Sequence, residues 1–469
     1  MLFNSTDFIF LFGLVCLLYW IIPQKFRWFL LLVTSYLFYM SWEPIYIVLI
    51  LFSTSIDYFL CRFLTGGEVL KKRKIGLALS IILNLGLLVV FKYYNFFQDT
   101  FVDLLNVFDI HYEGNKSTLL LPIGISFYTF QTMSYSIDVY RKNFRIEKHF
   151  GKFALYVSFF PQIIAGPIER ASHLLHQLNK KELVFRISNL KDGLLLFIWG
   201  LFKKVVVADN LRVLVDHVFN NENHQNSGSI IFALFAFTVQ LYADFSGYSD
   251  MAIGTSKMLG INLNINFRTP YFSKSITEFW RRWHITLSTW LRDYVFFPLG
   301  GSQVSNVITL RNILIVFLLS GLWHGASWNF IIWGGIHGVI VVIEKIMKRD
   351  REIKNHFFRI TRIFFTFIII VFTMLPFRAT NFNQLKALTI KLFDFKFYDL
   401  YIAIAEVMHT PGMVGLVVLF FTDLILARYS ILGLNKFHWS IKITWLTLIT
   451  VLIFLLGDSA SESFLYFQF

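Results

Sequence analysis

Ile308–Ile343 reads ITLRNILIVFLLSGLWHGASWNFIIWGGIHGVIVVI. Two apolar runs, each close to the ~20 residues that cross a hydrocarbon core of about 30 Å, flank the stretch GLWHGASWNF, Gly321–Phe330. This pattern predicts a hairpin of two membrane helices with His324 at its link, at membrane depth or near the far side. An ionisable group there is costly and marks a pathway or a site. Gly321 and Gly325 let another backbone or a ligand come close, and Trp323 and Trp328 can wall a cavity while each donates one hydrogen bond. Three roles compete for His324: packing against a neighbouring helix, relaying a proton or ion, and serving as the base of an enzyme inside the bilayer. His337 follows 13 residues on, an offset of about 220° around a helix. It need not face the same cavity and reads as a packing residue.

The rest of the chain carries the same membrane signature. Of 469 residues, 56% are hydrophobic, 19% aromatic and only 15% charged, with 55 Phe. A soluble core cannot bury that much apolar surface, so most of it faces lipid or other membrane helices. The net charge of +14 does not indicate nucleic acid, because the bases cluster in short loops beside apolar runs, as the positive-inside rule requires. The two cysteines, Cys16 and Cys61, lie within apolar runs and form neither a metal motif nor a disulfide framework. The opening stretch MLFNSTDFIFLFGLVCLLYWIIP lacks a basic leader and a cleavage site, and reads as a retained first membrane helix.

Apolar segments lie near 7–22, 26–44, 45–65, 75–95, 118–140, 153–168, 190–208, 228–250, 305–322, 327–346, 357–378, 413–430 and 440–457. Some are re-entrant, leaving about eleven crossings. Arg62 and Lys71–Lys74 read as cytoplasmic. The acidic stretch 96–116, with Asp99, Asp103, Asp109 and Glu113, reads as an external loop. Arg141, Lys142, Arg145, Lys148 and Lys152 return the chain inside, and Lys180, Lys181, Arg186 and Lys191 keep it there. The intervening FALYVSFFPQIIAGPI must therefore dip in and return as a broken helix, tolerated only where protein shields it. Stretches 209–227 and 379–412 read as external loops; Lys257–Arg292 and Lys345–Arg362 read as internal. The tail, with Asp458 and Glu462, places both termini outside. The expectation is an all-α polytopic membrane protein forming one domain over 1–469. No inverted repeat of the transporter kind is present.

Polar residues crowd into 244–338. YADFSGYSDMAIG sets Asp244 and Asp250 at the end of a spanning run. Downstream, Ser275 is a good N-cap with Glu278 at capping-box spacing. A continuous helix from there puts Trp280, Trp283 and Leu287 on one face and His284, Ser288 and Leu291 on another. Its mix of Trp, Arg and Tyr suits a helix lying at the cytoplasmic interface or dipping part-way in, and an interfacial anchor is the simplest role for it. Phosphate-binding, dinucleotide, zinc-protease and nucleophile-elbow motifs are all missing from the sequence. One or two histidines without a metal motif point to transfer onto a hydroxyl from an already activated donor, with His as general base. A transporter or proton-coupled channel lined by 244–338 is the non-enzymatic alternative.

Several long motifs in order then carry a resemblance: MLFNSTDFIFLF, LPIGISFYTFQTMSYSIDVYR, FPQIIAGPIER, ADFSGYSDMAIG, SITEFWRRWHITLSTWLRDYVFFPLGG, GLWHGASWNFIIWGGIHG and the closing FLYFQF. The chain resembles the membrane-bound O-acyltransferase family nearly end to end, nearest its bacterial alginate and polysaccharide O-acetylase branch. The resemblance implies a funnel or tunnel within a many-helix fold, and a catalytic core over about 120–346. It implies His324 as catalytic base and His284 as its support; Trp283, Trp323 and Asp250 are candidates for holding the donor by position alone. It implies no bound cofactor or metal, with acetyl-CoA or an acyl-carrier thioester arriving from the cytoplasm. It further implies a bacterial cytoplasmic-membrane location, a cell-envelope polysaccharide as acceptor, and an extracytoplasmic acetyltransferase-like partner. The D-alanyl transferases of teichoic-acid modification, which use a carrier protein, belong to the same family, and peptidoglycan is another acceptor it admits. The developing oxyanion needs a stabiliser, for which Trp or backbone N–H groups would serve.

Overall fold

The computed structural model describes residues 1–65, 67–112, 114–164, 166–180, 183–221, 225–347, 355–407, 410–427, 438–458 and 464–465. Glu113, Lys181, Glu462, the end of FLYFQF and part of Lys345–Arg362 fall outside that set. Every regular element among the described residues is helical. Among the described residues, six helices are long and apolar enough to cross a membrane: Pro44–Thr65, Leu70–Val107, Ser227–Met258, Asn306–His324, Trp328–Ile346 and His356–Arg378. Shorter apolar helices cover Thr6–Ile21, Pro411–Leu426 and Ser440–Leu456. The chain divides into two compact units, one built from 3–193 and 255–264, the other from 194–254 and 265–469.

The first unit holds α1 (Thr6–Ile21), α2 (Gln24–Met40), α3 (Ile47–Leu60), α4 (Leu70–Leu88), α5 (Tyr94–Val107), α6 (Ile125–Tyr140), α7 (Phe150–Ser158) and α8 (Leu174–Leu178). The stretch 96–116, expected to be a loop, is largely helix, because α5 continues α4 through a π-type turn at Val89–Tyr93. Phe97, Phe101 and Leu104 recur at helical spacing and are exposed, so the acids Asp99 and Asp103 occupy the remaining faces of a helix. α7 stops after nine residues and passes into turns, the broken helix expected of FALYVSFFPQIIAGPI.

Two of the carboxylates buried in this unit are held by hydrogen bonds, the arrangement that offsets the cost of burying a polar group. The Asp57 carboxylate accepts from Ser80, from Asn84 Nδ2 at 2.8 Å and from Ser136 Oγ at 3.3 Å. Glu169, in the AGPIER motif, accepts from the Asn264 backbone N–H at 2.6 Å and its side-chain amide at 2.9 Å. Cys61 is buried, Cys16 is partly so, and both are free thiols.

The second unit takes most of α9 (Ile187–Phe202), from Leu194 on, and α11 (Ser227–Met258) as far as Gly254, together with α10 (Asp209–Asn220), α12 (Ile276–Arg282), α13 (Ile285–Leu291), α14 (Asn306–His324), α15 (Trp328–Ile346), α16 (His356–Arg378), α17 (Phe382–Leu392), α18 (Phe397–Val407), α19 (Pro411–Leu426) and α20 (Trp439–Leu456). Two further expected loops are therefore helical: α10 fills most of 209–227, and α17 and α18 fill most of 379–412. Charge composition marked these stretches as polar but carried no information on their periodicity. A π-type turn at Lys203–Ala208 joins α9 to α10 and turns two adjacent lysines into the core. Lys203 Nζ meets Asp250 at 2.6 Å. Lys204 Nζ meets Asp209 at 2.8 Å and Asp244 at 2.9 Å.

Candidate functional site

The site forms where α14 ends and α12 breaks. Ser275 caps α12 as expected, accepting from the Glu278 backbone N–H at 3.0 Å. The helix does not continue through 275–291. It stops at Arg282, Trp283 is extended, and His284 takes a left-handed conformation with φ 42°, unusual for a residue bearing Cβ and characteristic of functional sites. The faces expected of one continuous helix therefore do not exist. Segment 265–268 stabilises the break. Arg268 N–H donates to Arg282 O at 2.9 Å and Ile285 N–H to Asn266 O at 2.9 Å, while Thr286 Oγ donates to Asn266 Oδ1 at 2.6 Å. Local periodicity could not reveal this, because the bonds come from a segment about 20 residues earlier in the chain. Nor does this region simply lie on the interface, since Ile276, Phe279, Trp283 and His284 are all buried.

The break directs His284 into the interior, where it is fully buried. Its ring packs edge-on against Phe245 at 4.7 Å and stands 5.7 Å from Trp323. Burial pushes the His284 imidazole down to about 3, so it is neutral at physiological pH.

His324 arrives from the other side as the last residue of α14, followed by extended Gly325. It is 2% exposed. Its ring centroid lies 6.4 Å from His284, 5.1 Å from Trp323, 5.0 Å from Trp333 and 5.7 Å from Phe377. The predicted hairpin α14–α15 thus presents its link residue to a second histidine inside an aromatic box. The hairpin closes at glycines: a Cβ on Gly321 would collide with Phe330 O, and one on Gly334 with Phe317 O. Gly334→Ala is therefore expected to force the helices apart, costing about 1–3 kcal/mol of stability and most of the turnover. Thermal melting and a transfer assay on the same preparation check this together.

His337, which reads as a packing residue that need not face the same cavity, is fully buried and does pack. It stands 5.0 Å from Trp333 and so lines the same wall, one ring removed from His324. The angular offset assumed one continuous helix, and the break at Gly325–Ser327 resets it. Of the other candidates, Trp323 packs beside both histidines, 5.7 Å from His284 and 5.1 Å from His324. Asp250 is engaged with Lys203. Trp283 packs behind Tyr242 at 6.2 Å and Tyr271 at 6.1 Å. Both tyrosines line a cavity of about 630 Å³ that also includes Arg282, Phe367, Leu419, His356 and Arg359. Sequence reasoning missed this cavity, since its lining comes from five separate stretches. Among the described residues, no three His, Cys, Asp or Glu side chains gather in a metal-binding arrangement.

Two buried imidazoles about one small group apart, walled by rings and closed to bulk water, can take a proton from a hydroxyl placed between them. Comparison with known proteins gives the family and the class of reaction. The model of the MBOAT, membrane-bound O-acyltransferase, family matches residues 147–384, a span that contains both histidines. The chain is 40% identical over 397 residues to the probable alginate O-acetylase AlgI of Azotobacter vinelandii, covering 84% of this chain and 78% of that protein. It is 36% identical over 418 residues to the peptidoglycan O-acetyltransferase of Helicobacter pylori, covering 81% and 77%. With the teichoic acid D-alanyltransferase of Streptococcus thermophilus it shares 29% identity over 262 residues, covering 52% and 61%.

Proposed function

This chain belongs to the membrane-bound O-acyltransferase family, and from that premise we propose that it passes an acetyl group from a cytoplasmic thioester, across the membrane, to hydroxyls of an alginate-like cell-envelope polysaccharide. The observation that carries this reading is the buried His284–His324 pair, 6.4 Å apart, at the end of a membrane-spanning hairpin. His324 is the general base. It takes the acceptor's hydroxyl proton as that oxygen attacks the thioester carbonyl carbon. A C–O bond forms, the C–S bond breaks, and the imidazolium returns its proton to the departing thiolate. The neutral His284 holds the acceptor in place without placing a second charge beside the imidazolium that forms.

The donor is acetyl-CoA or an acetylated carrier. In either case the phosphate-bearing arm suits the cavity whose exposed rim carries His356 and Arg359, with Arg282 beside them. Trp283, at the back of that cavity and adjacent to His284, supports the route towards the base, and Trp323 walls its end. The protein acts in the bacterial cytoplasmic membrane as one catalytic domain with both termini outside. An extracytoplasmic acetyltransferase-like partner receives the acetyl group and finishes its transfer. Peptidoglycan is the second acceptor to test, on the 36% identity to the Helicobacter pylori enzyme.

The deciding experiment places the purified full chain in liposomes with acetyl-labelled acetyl-CoA outside and polysaccharide inside. With the extracytoplasmic partner supplied inside, thioester loss matched by base-labile label on the polysaccharide is the expected result. Turnover only with an acylated carrier protein changes the donor and leaves the reaction class intact. An intact thioester under both conditions, with or without a partner fraction, overturns the enzymatic reading in favour of transport.

A further inference from the structure

The reaction leaves one requirement unassigned: something must receive the negative charge that develops on the acyl carbonyl oxygen. Two buried N–H groups meet that requirement, one on the ring beside His324 and one on the next ring along. Trp333 and His337 lie four residues apart on α15 and so share a face. Both are almost completely buried, at 2% and 0% exposed. The Trp280 indole donates to His337 Nδ1 at 3.3 Å. A neutral imidazole that accepts at one nitrogen carries its proton on the other, so His337 presents Nε2–H. That nitrogen and Trp333 Nε1 have no hydrogen-bond partner among the described residues. Buried donors left unsatisfied are rare in native structures and ask for an explanation. Here two occur on adjacent rings, and the Trp333 ring stands perpendicular to His324 at 5.0 Å.

We propose that Trp333 Nε1–H and His337 Nε2–H are the oxyanion donors of the site, holding the acyl carbonyl oxygen while the acceptor attacks. This rests on the acyl-transfer reading above and adds the residues that stabilise its transition state. A carbonyl oxygen has two lone pairs and can accept from both donors at once. Both rings are held in advance by packing. Trp333 is wedged between Phe377 at 4.9 Å and Trp280 at 5.7 Å, and His337 is fixed by its bond from Trp280. Donors that need not reorganise as charge develops are the efficient kind. Trp280 is then a positioning residue, since it sets the tautomer of His337.

The test compares wild type, Trp333→Phe and His337→Phe, using whichever thioester donor wild type turns over. Removing one such donor is expected to lower kcat about 10²–10³-fold, with a smaller change in KM for the donor. Equilibrium binding of two unreactive analogues then separates recognition from folding. In one, a methylene replaces the thioester sulfur so that the carbonyl remains as a ketone; in the other, an S-ethyl group replaces the acetyl. Wild type should prefer the ketone. The variants should lose that preference while binding the S-ethyl analogue within about twofold of wild type. If Trp333→Phe fails to fold, the benzothienyl isostere of tryptophan keeps the ring shape and replaces only the N–H with sulfur. Undiminished kcat in both variants, or an unchanged ketone preference, overturns the assignment while leaving the acyltransferase reading in place. A wild type inert with every thioester overturns both.

Discussion

His324→Ala is expected to reduce acetyl transfer about 10²–10⁴-fold, the usual worth of a general base, in a protein that still folds. The two halves of that expectation have separate origins. The loss of turnover follows from the proton: without the imidazole, the acceptor hydroxyl must attack undissociated or give its proton to a water that the aromatic walls exclude. The retained fold follows from position. His324 ends α14, so its backbone has already completed the helix, and the hairpin is held by the glycine contacts of Gly321 and Gly334 rather than by the imidazole. Truncation removes ring contacts with Trp323, Trp333 and Phe377, a packing loss of about 1–3 kcal/mol. His284→Ala should cost less turnover, because a group that only holds the acceptor leaves the proton transfer itself intact. Thioester consumption and thermal melting, measured on wild type and both variants, check each part. Turnover that survives His324→Ala would remove this residue from the base role altogether.

What could be read from the sequence, and what could not, divides along the range of the interactions involved. The α14–α15 hairpin follows from hydropathy and length alone, and the Ser275 cap from a four-residue pattern, so both were legible. The break at Trp283–His284 depends on Asn266, whose backbone and side chain bind across it, and no local signal encodes that. The same holds for His337, whose placement needs the α15 face, the Gly334 contact and the Trp280 bond together. Charged residues misled in a systematic way. Asp99 and Asp103 suggest a loop, as does the stretch that begins at 209, yet both stretches start as helices that extend an apolar run through a π-type turn. Asp250 stands out in the sequence as a site candidate, and in the structure its carboxylate pairs with Lys203 at 2.6 Å. A lone acid in a polar membrane stretch does not reveal whether it serves a ligand or a lysine.

That last ambiguity bears on stability, because Lys204→Met is expected to be the most damaging single change outside the site. The Lys204 side chain is 2% exposed and lies between Asp209 at 2.8 Å and Asp244 at 2.9 Å. Asp244 also accepts the Leu465 backbone N–H at 2.8 Å, which ties the C-terminal segment to the same cluster. Methionine fills nearly the same volume, so packing is largely conserved. What changes is charge: two buried carboxylates lose the cation shared between them. Breaking a buried ion pair by deleting one partner costs about 3–5 kcal/mol, a large share of the roughly 5–15 kcal/mol that holds a domain folded. The variant should show low yield, aggregation on size exclusion and a sharply lower melting temperature. The decisive comparison is Lys204→Met combined with Asp209→Asn and Asp244→Asn. Each amide keeps an oxygen to accept hydrogen bonds, including the one from Leu465, and carries no charge. If uncompensated charge is the cause, this triple variant recovers most of the stability that the single one loses, since neutral replacements of buried ion clusters are often tolerated. A triple variant as unstable as the single one would mean that the lysine's contribution is geometric, holding the π-type turn at 203–208 rather than balancing its acids.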